Sequence, residues 1–294
     1  MKTLAAALNT FATQPLNIAC QRDTAGGTRS LYFSGYLNTV RVHGGVLTAA
    51  QIAANYSLGP NDAPANAAPT LAAIADQTFD YGAAISPIAL TVGDADTALA
   101  AVTLHSSSGN AALLPAANIT FSGTGPARSA TLAPLAGQYG TAALTFTASD
   151  GATTAARTFN AIFLTPSETW RKQYFGAPAN TGTAADIFDA NDDGELNLLE
   201  FATAQNPLAA TSAAPALIRN GATLEFTYTR SHAALADAVT FTVEWRDDVA
   251  IGTWSSASVT EQILTDNGTV QTIRASLPAS SGPQRFVRLK VAAR

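Results

Sequence analysis

Between residues 71 and 165 the chain advances in short apolar–polar alternating stretches, with a turn signal about every ten residues. That pattern leaves few options. Period-two alternation puts every second side chain on one face, so each stretch is a half-buried strand that needs a facing layer. Leu144, Phe146 and Ala148 fall on one such face, and Asp150-Gly151 then turns the chain into a second stretch, Thr158 to Phe163. Asp-Gly between two alternating runs is a strong hairpin signal. The pattern returns after residue 216: Leu224, Phe226 and Tyr228 alternate, as do Phe241, Val243 and Trp245, and then Val287, Leu289 and Val291. Further strands are expected near 257–264 and 269–277, around a second hairpin signal at Asn267-Gly268. The fold class is therefore mainly β: multi-domain β-sandwiches, with a short helical segment between the last two.

The chain of 294 residues is 47% hydrophobic and only 13% charged, which is too apolar for disorder. No apolar run reaches the ~18 residues of a membrane span. The opening run Leu4 to Leu8 is short of the roughly 7–15 apolar residues of a secretory signal, so any export signal is expected on a segment upstream. One cysteine, Cys20, excludes an internal disulfide framework and a cysteine-based zinc site. The net charge of −5 is concentrated. Residues 166–210 carry 2 basic and 7 acidic groups, while 1–165 carry 6 and 7 and 211–294 carry 8 and 7. An acidic island between near-neutral flanks points to a cation. Without a basic patch, nucleic acid is not an expected partner.

Within that island, Ser167 is the expected cap of a helix with Glu168 in its first turn, and Gly176 its expected end. Trp170 and Tyr174 share a face. A second short helix is expected from Ala184 to Phe188, leading into Asp189–Glu200. Calcium takes about six to eight oxygens from a loop that turns sharply around the ion. The twelve-residue solution places side-chain oxygens at positions one, three and five, glycine at six, a backbone carbonyl at seven and a bidentate glutamate at twelve. Those places hold Asp189, Asn191, Asp193, Gly194, Glu195 and Glu200. Asn197 sits at nine, where the contact often runs through water, and Leu196 at eight is the expected apolar anchor. Glu195 is expected to bind through its backbone alone, and Asp192 to face solvent. The expected cofactor is Ca2+, and the expected metal residues are Asp189, Asn191, Asp193, Glu195, Asn197 and Glu200.

Catalysis is not expected. The paired acids are committed to the metal loop, His43, His105 and His232 are scattered, Cys20 has no base near it in sequence, and Gly123-Thr-Gly125 leads into Pro126 rather than a helix. Trp245 and Trp254 are read as core residues of a small sandwich, with stacking on sugars the other possibility.

Three resemblances attach to these segments. Phe33, Gly35, Leu37, Val40, Arg41, Leu47, Gln51, Ile52 and Tyr56 resemble the closing strands and helix of a laminin-G/concanavalin-A-like lectin domain, with Thr48 capping the helix from Ala49. On that reading 1–60 is a truncated fragment of such a domain, expected to leave an apolar edge uncovered, and 61–70 is a proline-rich linker. Asn66, Pro69, Thr70 and Leu71, then Val92, Asp94 and Asp96, Ser107 to Pro115, Pro134 to Ala142 and Ser149 to Gly151 resemble bacterial immunoglobulin- or cadherin-like repeats, which assigns 71–165 to one sandwich. In such repeats aspartates can hold calcium; Asp94, Asp96 and Asp150 are read either as turn residues bonding their own backbone or as ligands of a second ion. The run from Trp170 and Arg171 through Asn180, Asp186 and Glu200 to Pro207 resembles a dockerin-like or EF-hand-like module of secreted Verrucomicrobia-like proteins. That resemblance continues through Leu224–Arg230, Val243–Trp254 and Arg285–Val291, so 166–210 is the calcium segment and 211–294 a C-terminal sandwich.

Together these imply an extracellular or cell-surface, calcium-stabilised adhesion or carbohydrate-binding protein, with glycans or cell-surface proteins as partners. The alternative is an accessory C-terminal tail, a spacer or sorting segment of a larger polysaccharide-degrading enzyme or autotransporter-like protein.

Overall fold

A computed structural model describes residues 21–22, 29–30, 47–57, 65–213, 215–280 and 284–293, in two compact units, Met1–Ala65 and Asn66–Arg294. In the first unit, β1 (Gln21–Arg22) pairs antiparallel with β2 (Arg29–Ser30). Helix α1 (Ala49–Ser57) starts where the Thr48–Gln51 pattern places it: the Gln51 amide donates to Thr48 Oγ1 at 3.3 Å, and Thr48 N donates to Gln51 Oε1 at 2.8 Å. Ile52 and Tyr56 of α1 are exposed. The lectin-like strand Phe33–Val42, with His43 and Cys20, lies outside the described residues.

The second unit opens with two four-stranded sheets. Its strands are β3 (Thr70–Leu71), β4 (Gln77–Phe79), β5 (Ile88–Gly93), β6 (Thr103–Ser108), β7 (Ile119–Ser122), β8 (Ala127–Leu132), β9 (Gly140–Ser149) and β10 (Thr154–Phe163). One sheet runs β3-β5-β8-β7 and the other β4-β10-β9-β6, with β4 parallel to β10 and every other pair antiparallel. With β4 set aside as an added edge strand, the first, second, fifth and fourth strands lie in one layer and the third, sixth and seventh in the other, which is immunoglobulin-like topology. Leu144, Phe146 and Ala148 are all fully buried, on the face their alternation assigns them. Phe146 is the hub, with Phe121 and Phe159 edge-on to its ring at 5.0 and 5.1 Å.

The Asp150-Gly151 hairpin spans four residues, since Ser149 pairs with Thr154. Asp150 Oδ1 accepts from Ala152 N at 2.7 Å and Thr153 N at 2.6 Å, while Oδ2 accepts from the Asn66 amide at 2.8 Å. The Ala67 amide donates to Asp96 Oδ2 at 2.9 Å. Residues 66–70 are thus sewn onto the sandwich, and the linker read over 61–70 does not extend through them.

Arg128, the second residue of β8, is buried; Nη1 donates to Val102 O at 2.8 Å, Nη2 to Leu99 O and Nε to Gly125 O. One guanidinium therefore satisfies three carbonyls at the sandwich rim. Removing it leaves the buried Val102 O unpaired and releases the partly exposed Leu99 and Gly125 carbonyls, the first of which still accepts from Val102 N. Arg128→Ala is therefore expected to destabilise the protein by about 1–3 kcal/mol in urea unfolding. A loss under ~0.5 kcal/mol would show that water replaces the guanidinium at no cost.

A helical segment follows. Helix α2 (Pro166–Phe175) is capped by Thr165 rather than Ser167: Thr165 Oγ1 accepts from Glu168 N at 3.2 Å, and Glu168 Oε2 accepts from Thr165 N at 2.8 Å. The reason is Pro166, whose fixed φ and missing N–H suit the first helical position and move the cap back two residues. Gly176 ends α2 at a left-handed φ of 80°, and Trp170 and Tyr174 meet at 5.3 Å. No α-helix forms over 184–188. A single 3₁₀ turn, Gly182–Ala184, stands in its place, because Asn180 Oδ1 accepts from Asp186 N at 2.8 Å and its Nδ2 donates to Asp186 Oδ2 at 2.9 Å. A side chain bonding the backbone this way competes with helix formation. Helix α3 (Asn197–Thr203) then leaves the acidic loop.

The remaining strands are β11 (Ala216–Asn220), β12 (Thr223–Ser231), β13 (Thr240–Arg246), β14 (Thr260–Asp266), β15 (Val270–Pro278) and β16 (Phe286–Ala292), with the short helix α4 (His232–Ala236) after β12. The order β11-β12-β15-β14 repeats the first, second, fifth, fourth order of the earlier sandwich, and β13 pairs with β16 in the other layer. Phe226, Tyr228, Val243, Ile273, Ala275 and Leu277 form the core between them. Asn267-Gly268 turns β14 into β15, with Asn267 Oδ1 accepting from Thr269 N and Val270 N. The two tryptophans separate. Trp245 packs partly buried against the core, with the Arg285 guanidinium 3.7 Å from its ring centre. Trp254 has the Arg246 and Arg288 guanidinium groups over its ring at 4.5 and 4.1 Å, cation–π contacts outside the core cluster.

Candidate metal centre

The acidic loop turns at two left-handed residues, Asp192 (φ 58°) and Gly194 (φ 93°). Asp tolerates that region, and glycine enters it without steric cost. The side chains of positions one, three and five are bonded to the loop's own amides. Gly194 N donates to Asp189 Oδ2 at 2.8 Å, Asp193 N to Asn191 Oδ1 at 3.1 Å, and Glu195 N to Asp193 Oδ1 at 2.9 Å. Asp192 is exposed.

Glu200, the last position, has 0% exposure. Its Oε1 accepts from Asn191 Nδ2 at 3.1 Å, and its Oε2 is buried with no hydrogen-bond partner. Burial, then the carboxylates of Asp193 and Glu195, push the Glu200 carboxyl up to about 7, with Asp189 adding a smaller push; only the Asn191 bond opposes them. Glu195 turns its side chain away from the loop: its oxygens accept from Gln205 Nε2, from Ser212 Oγ at 3.1 Å and from Ala213 N at 3.0 Å. Only its backbone is left for an ion.

Asn197 is fully buried, and its Nδ2 donates to Thr183 O at 2.9 Å and Ala185 O at 2.8 Å, pinning the entering turn. Its Oδ1 has no partner. Leu196 does not anchor the loop; it is 44% exposed because it stands at the N-cap of α3, outside the helical face that packs. The anchor is Phe201, buried against Trp170 at 5.6 Å between rings and clustered with Ala234 and Val239.

Among the described residues, no three Asp, Glu, His or Cys side chains close into a metal-ligand cluster. Asp189, Asp193 and Glu200 are three such side chains, and in this structure they do not converge on one point; Asn191 and the Glu195 carbonyl complete the loop's donor set. A buried carboxyl with an orphaned oxygen and three acidic neighbours nevertheless has the chemistry that a hard cation satisfies. Asp189, Asn191, Asp193, Glu200 and the Glu195 backbone would hold it, with Asn197, whose Oδ1 is without a partner, at the ninth place.

Elsewhere the sequence candidates fall to other uses. Asp94 Oδ1 accepts from Asp96 N at 3.1 Å and Thr97 N at 2.8 Å. With Asp96 bonded to Ala67 N and Asp150 to its own turn and Asn66, the three behave as turn and anchor residues. His105 lies exposed on β6, and His232, first residue of α4 rather than a turn residue, pairs with Asp266 at 2.8 Å. A cleft of about 500 Å³, which the linear sequence does not signal, opens between α2, the 180–186 turn, α3 and the end of α4.

No family model matches the chain, and no curated protein matches it. Solved structures similar to it include titin domains Z1Z2 in complex with telethonin, at 10% identity and a TM-score of 0.32, over 76% of this chain and 95% of that one. Another is an endo-fucoidan hydrolase, MfFcnA4, of glycoside hydrolase family 107, at 12% identity and a TM-score of 0.27 over 80% of this chain. The chain spans 30% of that hydrolase's length.

Proposed function

We propose that this chain is a non-catalytic recognition and spacer protein of the cell surface or extracellular space, built from β-sandwiches with a calcium ion bound at Asp189–Glu200 between two of them. The observation that carries the reading is Glu200: a fully buried carboxyl, one oxygen unpartnered, at the twelfth place of a loop whose first, third and fifth places are oxygen donors. Its role is mechanical as much as chemical. Helix α2 touches the first sandwich through Lys172 and Asp80 at 2.7 Å and through Tyr81 N donating to Thr169 Oγ1 at 2.9 Å. It touches the second through Ser167 N donating to Asp237 Oδ2 at 3.0 Å, while Ser231 Oγ donates to Phe201 O of α3 at 3.0 Å. An ion that closes the loop between α2 and α3 therefore stiffens the joint of the two sandwiches.

Calorimetric titration of the whole protein with calcium tests the reading. A dissociation constant of about 10⁻⁴–10⁻³ M is expected, the range of extracellular modules. Asp192→Asn is expected to leave it unchanged, because that side chain faces solvent. No heat and no thermal shift at about 10 mM calcium, tenfold above that range, would remove the ion from this account.

A further inference from the structure

We propose that the cleft between α2 and α4 binds a neutral saccharide, with Tyr139 as its wall and Arg171 as its floor. The proposal rests on the non-catalytic recognition reading above, but not on the calcium ion.

At about 500 Å³ the cleft has the size of a small-molecule site. Arg171 lines it at 6% exposure, with Nη2 donating to Asp186 Oδ1 at 2.8 Å and Nε buried without a partner. A guanidinium offers five donors, so this one is heavily under-used for a buried cation. Around it stand acceptors with an oxygen to spare. Glu168 spends Oε2 on the Thr165 amide, and Asp237 spends Oδ2 on the Ser167 amide. Tyr139 adds an aromatic ring and a hydroxyl, and its raised pKa, caused by burial, then Tyr81 and Asp237, agrees with a phenol set close to that aspartate.

Charge selects the ligand class. The lining carries three carboxylates, Glu168, Asp186 and Asp237, against one guanidinium. A sulfated or uronic-acid sugar would meet net repulsion, and a simple amine, though drawn by the carboxylates, has no acceptor to offer the unpartnered Arg171 Nε. A ring of hydroxyls, each both donor and acceptor, can bond carboxylate and guanidinium together while its C–H face lies on the tyrosine.

The test is NMR titration of the whole protein in constant calcium with D-glucose, D-galactose, D-mannose and N-acetylglucosamine, each taken to about 50 mM, well above a ~1 mM dissociation constant. Shifts are expected at Tyr139, Arg171 and Asp237 with at least one of the four. Tyr139→Phe is expected to weaken binding about threefold to tenfold, the loss of one neutral hydrogen bond, and Tyr139→Ala by more than about tenfold. Trp254→Ala, outside the cleft lining, should leave it unchanged.

Silence with all four sugars overturns the proposal. So does undiminished binding by a folded Tyr139→Ala protein, tighter binding of D-glucuronate than of D-glucose, or loss of binding in Trp254→Ala. A calcium-induced thermal shift recorded on the same samples separates a failure here from a failure of the metal reading.

Discussion

In the absence of calcium the protein is expected to lose stability as pH rises from about 4.5 to about 7, and with calcium present to gain it over the same range. Glu200 sets the sign. Its carboxyl has an ordinary value of 4.5 and rises to about 7 in the ion-free fold. Between those values the folded state holds a proton that the unfolded chain has released, so stability falls as pH increases. At ~1.4 kcal/mol per unit the loss is about 2–3 kcal/mol, or roughly 5–10 °C in melting temperature for a unit of this size. Calcium binding requires the ionised carboxylate, so its stabilisation grows as the proton leaves. Glu200→Gln removes both behaviours. Its ion-free melting temperature should be flat across the window and higher than that of the unsubstituted protein at pH 8, while calcium no longer raises it. Melts in chelator and in calcium at pH 5 and pH 8 read all of this directly. Parallel pH profiles for the two proteins would show that Glu200 is not the titrating group.

Phe146→Ala is expected to cost about 3–5 kcal/mol, the range for a large buried aromatic that leaves a cavity. The ring is fully buried at the centre of the first sandwich, and two further rings, Phe121 and Phe159, lie edge-on to it. Neither can collapse into the space without leaving its own strand register, since Phe159 lies on β10, paired with β9 over ten consecutive residues, and Phe121 on β7, paired with β8 over four. Ile263→Ala, on the exposed strand β14, should change stability by less than ~0.5 kcal/mol. Urea midpoints at constant m-value would check both. A Phe146→Ala cost below ~1 kcal/mol would mean that the rings on either side repack freely.

The strands were legible because their signal is local and repeated. Alternation at Leu144, Phe146 and Ala148, or at Phe226 and Tyr228, can be satisfied only by a strand with one dry face. The two hairpins declared themselves through Asp-Gly and Asn-Gly. The sharp turn of the acidic loop at Gly194 and the outward Asp192 were readable for the same reason, since both lie within one short run. What escaped the sequence depends on partners far along the chain. Arg128 reads as a solvent-facing strand residue until its three carbonyls, at Leu99, Val102 and Gly125, are seen together. Glu195 gives no sign in sequence that Ala213 and Ser212 will claim its side chain. Leu196 was expected inside because it is apolar, but the start of α3 turns it out. Trp254 was expected in the core for its size, and two arginines cover it instead. The cleft draws its lining from several separate segments, and no spacing rule announces it.

The parallel pairing of β4 with β10 also sets a timetable for synthesis. Asp76, just before β4, accepts from the Asn160 backbone amide across 84 residues, and β4 meets its register partners Ala161 to Phe163 only at the end of the sandwich. Closing so long a loop costs entropy before any contact repays it, which places this pairing late in folding. On the ribosome β4 has no partner until Ala161 to Phe163 have emerged, so the sandwich keeps an open edge after β5 to β9 have been made. The emerging chain is therefore most prone to aggregation just before residue 163 clears the exit tunnel. The low charge of the chain gives little electrostatic protection during that interval.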